Sequence, residues 1–458
     1  MDLSPDIFRA YDLRGEVGDQ ITPEVMRAIA RAYATLLTRD LGRAPRLVVG
    51  RDLRPSSEEL SGAVVAGLVA GGCEVLDIGQ CPTPVVYFAI DAYQGDGGLG
   101  VTASHKPSQF NGLKVRRGSG PFFGESLQEL RRLTEAGQFV AGAGSCEQRD
   151  IWPEYFRVAE SQLTAGAARG LKVVLDVGNG CGTFNAPRLL EYLGCELTTL
   201  FPEPDGTFPN RSPDPLTAEG IAPCAAKVRE TGADLGLATD ADGDRIAVVD
   251  HTGIMYWPDA YVTPLCREIL ARGPATFVTE VRCSRAIMDD VAARGGQVKM
   301  VACGYPFVLA GMAEVGAPLG FETSGHCYFG NQYIKYDDAA FGAARLLQSV
   351  VACGESLHDL VASLPVYYTA PELRVPCSDE TKFQVVAQVA DRLRGHYSLL
   401  EIDGARLELP DGWGLIRASN TGAELTLRWE GTTEAARDRI GALLHEQVQS
   451  ALEACGEA

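Results

Sequence analysis

Gly97-Gly98-Leu99-Gly100-Val101-Thr102-Ala103-Ser104-His105-Lys106-Pro107 decides how the chain is read. Its first five residues read as a glycine-flexed buried strand, so Ser104 is expected, chemically exposed, at a strand's carboxyl end, the edge where open α/β sheets place their ligands. His105 and Lys106 stand beside it, and Lys114 follows in Phe110-Asn111-Gly112-Leu113-Lys114. The serine oxygen would then lie among donors and cations, a setting suited to an oxygen that carries a phosphoryl group. The plain alternative is a polar turn.

The same texture repeats outward from this strand. Ile7-Phe8-Arg9-Ala10-Tyr11-Asp12-Leu13-Arg14-Gly15 leaves Arg14 in a turn, and Thr22-Pro23-Glu24 then starts a helix with a capping residue and an early proline. A strand over 46–50, a helix over 57–70 and a strand over 73–77 give the alternation of parallel α/β units, and a helix spans 126–136. Ala141-Gly142-Ala143-Gly144-Ser145 reads as a boundary, after which a second α/β segment begins at Trp152-Pro153. Its strand 171–176 runs into Gly178-Asn179-Gly180-Cys181-Gly182-Thr183. Thr183 stands where a dinucleotide fingerprint needs its third glycine, so a strand-to-helix turn is the better account. A third segment starts near Trp257-Pro258, with strands over 276–278 and 298–301. After Leu364-Pro365 come a helix over 382–394, short paired strands over 405–429 and a last helix from Thr433, the texture of a smaller α+β domain. The three α/β segments read as structural copies of one another.

A chain of 458 residues exceeds what one core supports, so three or four domains are expected. Hydrophobic content of 46% and charged content of 22% are those of an ordinary globular protein. The acidic opening Met1-Asp2-Leu3-Ser4-Pro5-Asp6 has no apolar core, and the best apolar run, 63–70, is too short to cross a bilayer. The 13 cysteines stand singly, without zinc spacing, which fits a reducing cytoplasm. A net charge of −19 opposes nucleic acid and anionic membranes, yet allows a small anionic substrate where cations gather locally.

Asp240-Ala241-Asp242-Gly243-Asp244-Arg245 lies between apolar strands at 235–239 and 246–250. Three carboxylates at alternate positions repel one another unless a cation neutralises them, and an all-oxygen set suits Mg2+. A calcium EF-hand is excluded because its sixth position would be Arg245 and its twelfth His251. Two other readings are a solvated acidic turn and a nucleophilic Asp240, as in haloacid-dehalogenase phosphatases. The latter leaves Ser104 unexplained, and a strand rather than a helix follows the loop. Phe321-Glu322-Thr323-Ser324-Gly325-His326 offers a carboxylate, a hydroxyl and an imidazole for gripping sugar hydroxyls, and His326 could also move protons. In Gly414-Leu415-Ile416-Arg417-Ala418-Ser419-Asn420-Thr421-Gly422, Arg417 with Ser419, Asn420 and Thr421 makes a cradle for a second phosphate, although a hairpin turn has the same composition.

In this order the four stretches resemble the α-D-phosphohexomutase superfamily, in particular its bacterial phosphomannomutase/phosphoglucomutase branch. The resemblance runs from Phe8-Arg9-Ala10-Tyr11-Asp12 to Arg417-Ala418-Ser419-Asn420-Thr421. It implies an α/β fold of three similar α/β domains (1–150, 151–255, 256–367) plus a smaller, mobile C-terminal α+β domain (368–458) around a central cleft. It further implies that Ser104 is a phosphoserine and that Asp240, Asp242 and Asp244, with Ser104, hold Mg2+. Arg245 would support the phosphoserine region, and Lys114 and His326 would transfer protons or touch substrate. Tyr11, Arg14, His105, Tyr305, Glu322 and Ser324 would line the substrate site, and Arg417, Ser419, Asn420 and Thr421 would bind the phosphate that is not transferred. The expected reaction moves a phosphoryl group between C1 and C6 of a hexose phosphate, of mannose, glucose or both. A hexose 1,6-bisphosphate is the intermediate and activator, and the enzyme is a cytoplasmic monomer or weak dimer. Three residues depart from the family's usual pattern: Lys106 for asparagine, Tyr305 for histidine after Gly304, and Arg282 for lysine. They motivate a non-catalytic phosphosugar-binding protein as the alternative.

Overall fold

The structure, a computed structural model, describes residues 3–118, 120–330, 336–419 and 422–457. The chain forms two compact units, Met1–Pro258 with Ser324–His358, and Asp259–Thr323 with Asp359–Ala458. In the first unit the glycine-rich strand Gly97–Val101 is buried at every position. It lacks side chains where bulk would collide: a Cβ on Gly97 would strike the hydroxyl of Tyr33, which donates to the Arg116 carbonyl. Arg46–Arg51 pairs with it in parallel on one side and Phe110–Arg117 antiparallel on the other. Glu74–Gln80 extends the sheet beyond Arg46–Arg51. Helix Pro23–Leu41 covers this sheet; its Thr22 cap accepts the Val25 N–H at 3.3 Å, and it ends at Gly42 with φ 68°.

One local expectation is corrected here. Arg14 does not sit in a turn: Leu13–Glu16 is a strand paired antiparallel with Phe110–Arg117, which satisfies backbone groups a turn would leave open. The small-residue run at 141–145, expected as a boundary, is packed against the first sheet. Gly142 bridges to Gly71, and Ser145–Gln148 closes the sheet edge beside Glu74–Gln80. The absent side chains let two backbones approach, since a Cβ on Gly142 would lie 2.8 Å from the Gly72 Cα.

The second sheet of this unit repeats the plan. Leu235–Thr239 lies between parallel Lys172–Asp176 and antiparallel Ile246–Asp250, with Glu196–Leu200 beyond Lys172–Asp176. Ser324–His358 packs with this unit: helix Ala339–Cys353 lies against Ala186–Tyr192, and Tyr155 Oη donates to Asp338 at 2.6 Å. In the second unit Thr276–Glu280 pairs in parallel with both Gln297–Val301 and Leu319–Phe321. The α+β part is an antiparallel sheet of Ala405–Leu409, Gly412–Ala418 and Glu424–Gly431. Helices Lys382–Leu393 and Glu434–Cys455 close its core through Val385, Val389, Ile440 and Leu444.

Candidate active site

Ser104 emerges three residues past its strand, as expected, but it is only 1% exposed, so the expectation of an open serine is corrected. Its φ of 51° is left-handed, which costs a residue with a side chain about 1–3 kcal/mol. Arg54 holds the loop in that shape: Nη2 donates to the Ser104 and Lys106 carbonyls and Nη1 to that of Pro107, each at 2.6 Å. Asp52 holds Arg54 in turn, accepting its Nε at 2.9 Å and its backbone N–H at 3.0 Å. The sequence reading missed Arg54; Arg51-Asp52-Leu53-Arg54 carries no sign of which carbonyls the guanidinium reaches. Ser104 Oγ is left to donate to Asp240 Oδ2 at 3.2 Å, and it lies 3.1 Å from His105 Nδ1.

The aspartate loop is a hairpin tip between two fully buried strands. Asp240 Oδ1 accepts the N–H groups of Asp244 at 3.0 Å and Arg245 at 3.1 Å, which turns Oδ2 toward the serine. Asp242 Oδ2 accepts from Thr83 Oγ1 at 2.6 Å, Lys114 Nζ at 2.9 Å and Thr102 Oγ1 at 3.3 Å. Lys114 also pairs with Asp244. Carboxylate oxygens of Asp240, Asp242 and Asp244 lie within 4.8 Å of one another, all three buried. Burial and the two neighbouring charges push the Asp240 carboxyl well above its ordinary pKa. Burial opposes ionisation of Asp242 too, but Lys114 and Thr83 outweigh it and hold that pKa low. Oδ1 of Asp242 and of Asp244 is buried with no hydrogen-bond partner among the described residues. Orphaned, oxygen-only and net anionic, this set fits a hard divalent cation.

Three more predicted residues of the first unit, His326, Arg245 and His105, lie here. His326 Nδ1 lies 3.1 Å from the Asp244 carbonyl and 3.1 Å from Asp337 Oδ2. Arg245 Nε is 3.9 Å from Asp244 Oδ1. His105 is half-buried; desolvation first, then Arg245, Arg14 and Lys106, hold its pKa well below the usual value. Arg14 pairs with Asp12 at 2.6 Å, and Tyr11 and Ser324 are half-buried. Asp337, which the sequence reading also missed, had no motif around it.

The second unit carries a separate group. Buried Glu322 accepts the Gly304 N–H at 3.1 Å, at the start of the helix Tyr305–Val315. Asp403 Oδ2 accepts the Cys303 N–H at 3.0 Å and Arg417 Nε at 3.1 Å, while Arg417 Nη2 is buried with no hydrogen-bond partner among the described residues. Lys382 ties the following loop, donating to the Ser419 carbonyl at 2.6 Å and that of Gly422 at 3.0 Å. Asn420 and Thr421 lie outside the described residues. Arg282 folds onto Glu280, with Nε 3.1 Å from Oε1. Burial would raise the Glu280 pKa, but Arg282, Thr323 and Cys303 bring it down to about 2.

A hydroxyl set against a carboxylate triad, with cations alongside and on repeated α/β segments, is the layout of a phosphoryl-transfer enzyme. Comparison with known families makes this specific. The phosphoglucomutase/phosphomannomutase α/β/α domains I, II and III match residues 5–141, 153–253 and 257–368, and the C-terminal domain of the same family matches 372–446. The phosphomannomutase/phosphoglucomutase of Pseudomonas aeruginosa is 38% identical over 451 residues, 98% of this chain and 96% of its own. A phosphoglucomutase of Neisseria meningitidis serogroup A is 34% identical over 444 residues, 96% of this chain and 95% of its own. The crystal structure of a phosphoglucomutase/phosphomannomutase family protein from Burkholderia thailandensis superposes with a TM-score of 0.90 at 36% identity, over 98% of each chain. The chain belongs to the phosphoglucomutase/phosphomannomutase family: it is a phosphohexomutase, an isomerase of carbohydrate metabolism, built of three α/β domains and a C-terminal domain.

Proposed function

We propose that the protein interconverts the 1- and 6-phosphates of a hexose, glucose, mannose or both, by lending the sugar a phosphoryl group from phosphorylated Ser104. The observation that carries this reading is the 3.2 Å contact of Ser104 Oγ with Asp240 Oδ2, in a loop whose carbonyls Arg54 holds. A sugar hydroxyl attacks phosphorus, its new P–O bond forming as the P–Oγ bond to Ser104 breaks. The hydroxyl's proton leaves to a nearby base, and Ser104 Oγ regains one. The resulting hexose 1,6-bisphosphate turns round and returns its other phosphoryl group to Ser104, releasing the isomer. Asp240, Asp242 and Asp244, with a phosphoryl oxygen on Ser104, would hold Mg2+, which supplies charge neutralisation to the transferring group when bound.

His326 and Lys114 serve proton transfer, and Arg245 steadies the phosphoserine side. His105, Arg14 and Tyr11 supply contacts near that end. Glu322, Ser324 and Tyr305 grip sugar hydroxyls, while Arg417, Ser419, Asn420 and Thr421 take the phosphate that stays in place. The buried, unpartnered Arg417 Nη2 supports that last role. We assign the domains as 1–150, 151–255, 256–367 and 368–458, and the protein to the cytoplasm as a monomer or weak dimer. Among the described residues no helix is long and apolar enough to cross a membrane.

Phosphorus NMR with glucose 1-phosphate, mannose 1-phosphate or glucosamine 1-phosphate, Mg2+ and a trace of hexose 1,6-bisphosphate tests the reading. Growth of a 6-phosphate signal is expected with glucose or mannose and its absence in Ser104→Ala. Release of inorganic phosphate with a base-labile enzyme label would instead assign the nucleophile to Asp240, and no change with any sugar would make this a binding protein.

A further inference from the structure

Two acceptors face one nitrogen of His326. The Asp244 carbonyl can only accept, and it lies 3.1 Å from Nδ1, so Nδ1 must carry a proton. Asp337 Oδ2, also at 3.1 Å, is the second acceptor on that nitrogen. We infer that Asp337 is a positioning residue for His326: it fixes the ring's orientation and balances the charge the ring gains when Nε2 takes a proton from the sugar hydroxyl. This rests on the proton-transfer role proposed for His326.

Asp337 is placed for the task by its neighbours. Tyr336 Oη is anchored to Asp91, and Asp338 caps the helix Ala339–Cys353 by accepting the Phe341 N–H at 3.0 Å while receiving the Tyr155 hydroxyl at 2.6 Å. Pinned on both sides, a side chain 4% exposed has little freedom to turn away. The Tyr328 ring lies nearly parallel to the imidazole, their centroids 6.3 Å apart at 24°. A carboxylate behind a histidine that shuttles a proton costs no reorganisation at the moment of transfer. In the reaction Nε2 takes the hydroxyl proton as the P–O bond forms, the imidazolium stays hydrogen-bonded through Nδ1–H to ionised Asp337, and the same proton returns to the departing oxygen. No other reactant is required.

The test compares the parent, Asp337→Asn, His326→Gln and the double variant in the hexose phosphate isomerisation, reading kcat and KM separately. Asparagine keeps an acceptor for Nδ1 and removes the charge. Asp337→Asn should lower kcat about tenfold or more, within the 10²–10⁴-fold that general acid–base catalysis contributes, and change KM by less than about threefold. The double variant should be no slower than His326→Gln, because the carboxylate acts through the ring. In nitrogen-15-labelled protein the His326 Nδ1 proton should move upfield when the carboxylate is removed, which reports the hydrogen bond itself; the kcat-against-KM split is the readout a merely structural role would not move. A kcat for Asp337→Asn within about twofold of the parent, an unmoved Nδ1 proton, or an equal further loss in the His326→Gln background would each overturn the inference while leaving His326 its role. An unimpaired His326→Gln would remove that role, and the inference with it.

Discussion

Replacing Arg54 by lysine is the sharpest probe of how the Ser104 loop is held. The guanidinium serves four acceptors: the carbonyls of Ser104, Lys106 and Pro107 at 2.6 Å each, and Asp52 Oδ2 at 2.9 Å. A lysine keeps the charge but not the planar fork, so at least two of these bonds are lost. Leaving two carbonyls unpaired in a buried loop costs about 1–3 kcal/mol each, on the order of 2–6 kcal/mol together. Ser104 already stores about 1–3 kcal/mol in its left-handed φ of 51°, so the loop will relax rather than bear the penalty. Phosphoryl transfer needs the oxygen aligned, and a displacement near 1 Å costs about a hundredfold in rate. Arg54→Lys should therefore lose about a hundredfold in kcat/KM, accept less phosphate from hexose 1,6-bisphosphate by intact mass, and melt several degrees lower. Arg51→Lys, whose nearest carboxylate is Asp77 at 4.0 Å, is the control and should change neither activity nor melting. An Arg54→Lys enzyme with parental kcat/KM and an unchanged melting temperature would refute the reasoning.

Chelation should abolish the mutase activity and added Mg2+ restore it. Mg2+ should raise the melting temperature of the parent but not of Asp242→Asn, and full activity after exhaustive chelation would exclude a metal role for the triad. Lys382→Met frees the loop ends at the Ser419 and Gly422 carbonyls, so KM for the sugar phosphate should rise about tenfold with kcat nearly kept; an unchanged KM would show that the loop needs no such tie. Against burial, the Arg282 guanidinium and the Thr323 and Cys303 hydrogen bonds lower the Glu280 pKa in the folded state to about 2 from its ordinary 4.5, so its contribution is present above about pH 4.5 and is lost as pH falls toward 2. That is on the order of 3 kcal/mol. Glu280→Gln should thus flatten the acid limb of the stability curve between those values, measured by denaturant unfolding, and an unaltered limb would contradict the assignment.

What the sequence revealed was local. Gly97–Val101 reads as a buried strand because its residues are small or apolar without interruption, and the hairpin around Asp240 to Arg245 reads from two flanking apolar runs. Motif chemistry set Lys114 near Ser104, and the family resemblance, rather than the residues alone, joined them with the aspartates and His326 in one expected site. Residues that act through distant partners stayed hidden. Arg54 reaches Ser104 across 50 positions, and Lys382 reaches Ser419 across 37. Neither carries a local signal, since a basic residue at a loop or a helix start is ordinary. Arg14 was misread because glycine beside it suggests a turn, whereas pairing with Phe110–Arg117 overrides that preference. The run at 141–145 read as a boundary, but its packing stayed hidden, since small residues also let one backbone lie against another, as Gly142 does against Gly72.

The repeated plan of the sheets explains why these loops are held so firmly. In the first two sheets the strand that leads into the site lies between a parallel and an antiparallel neighbour: Gly97–Val101 between Arg46–Arg51 and Phe110–Arg117, and Leu235–Thr239 between Lys172–Asp176 and Ile246–Asp250. Leu319–Phe321, with parallel Thr276–Glu280 on one side, leads likewise into Glu322. A strand in that position ends at the carboxyl edge of the parallel set, where α/β folds bind ligands, yet it turns straight back instead of crossing over through a helix. The connecting loop is thereby short and fixed at both ends by paired strands. Such a loop can hold carboxylates close together, or a serine in a strained conformation, because the surrounding ladder opposes relaxation. A crossover loop of equal length, fixed by a strand at one end only, would let Asp240, Asp242 and Asp244 drift apart under their mutual repulsion. The position of the hairpin in each sheet, rather than the motif alone, is therefore what holds these side chains in place.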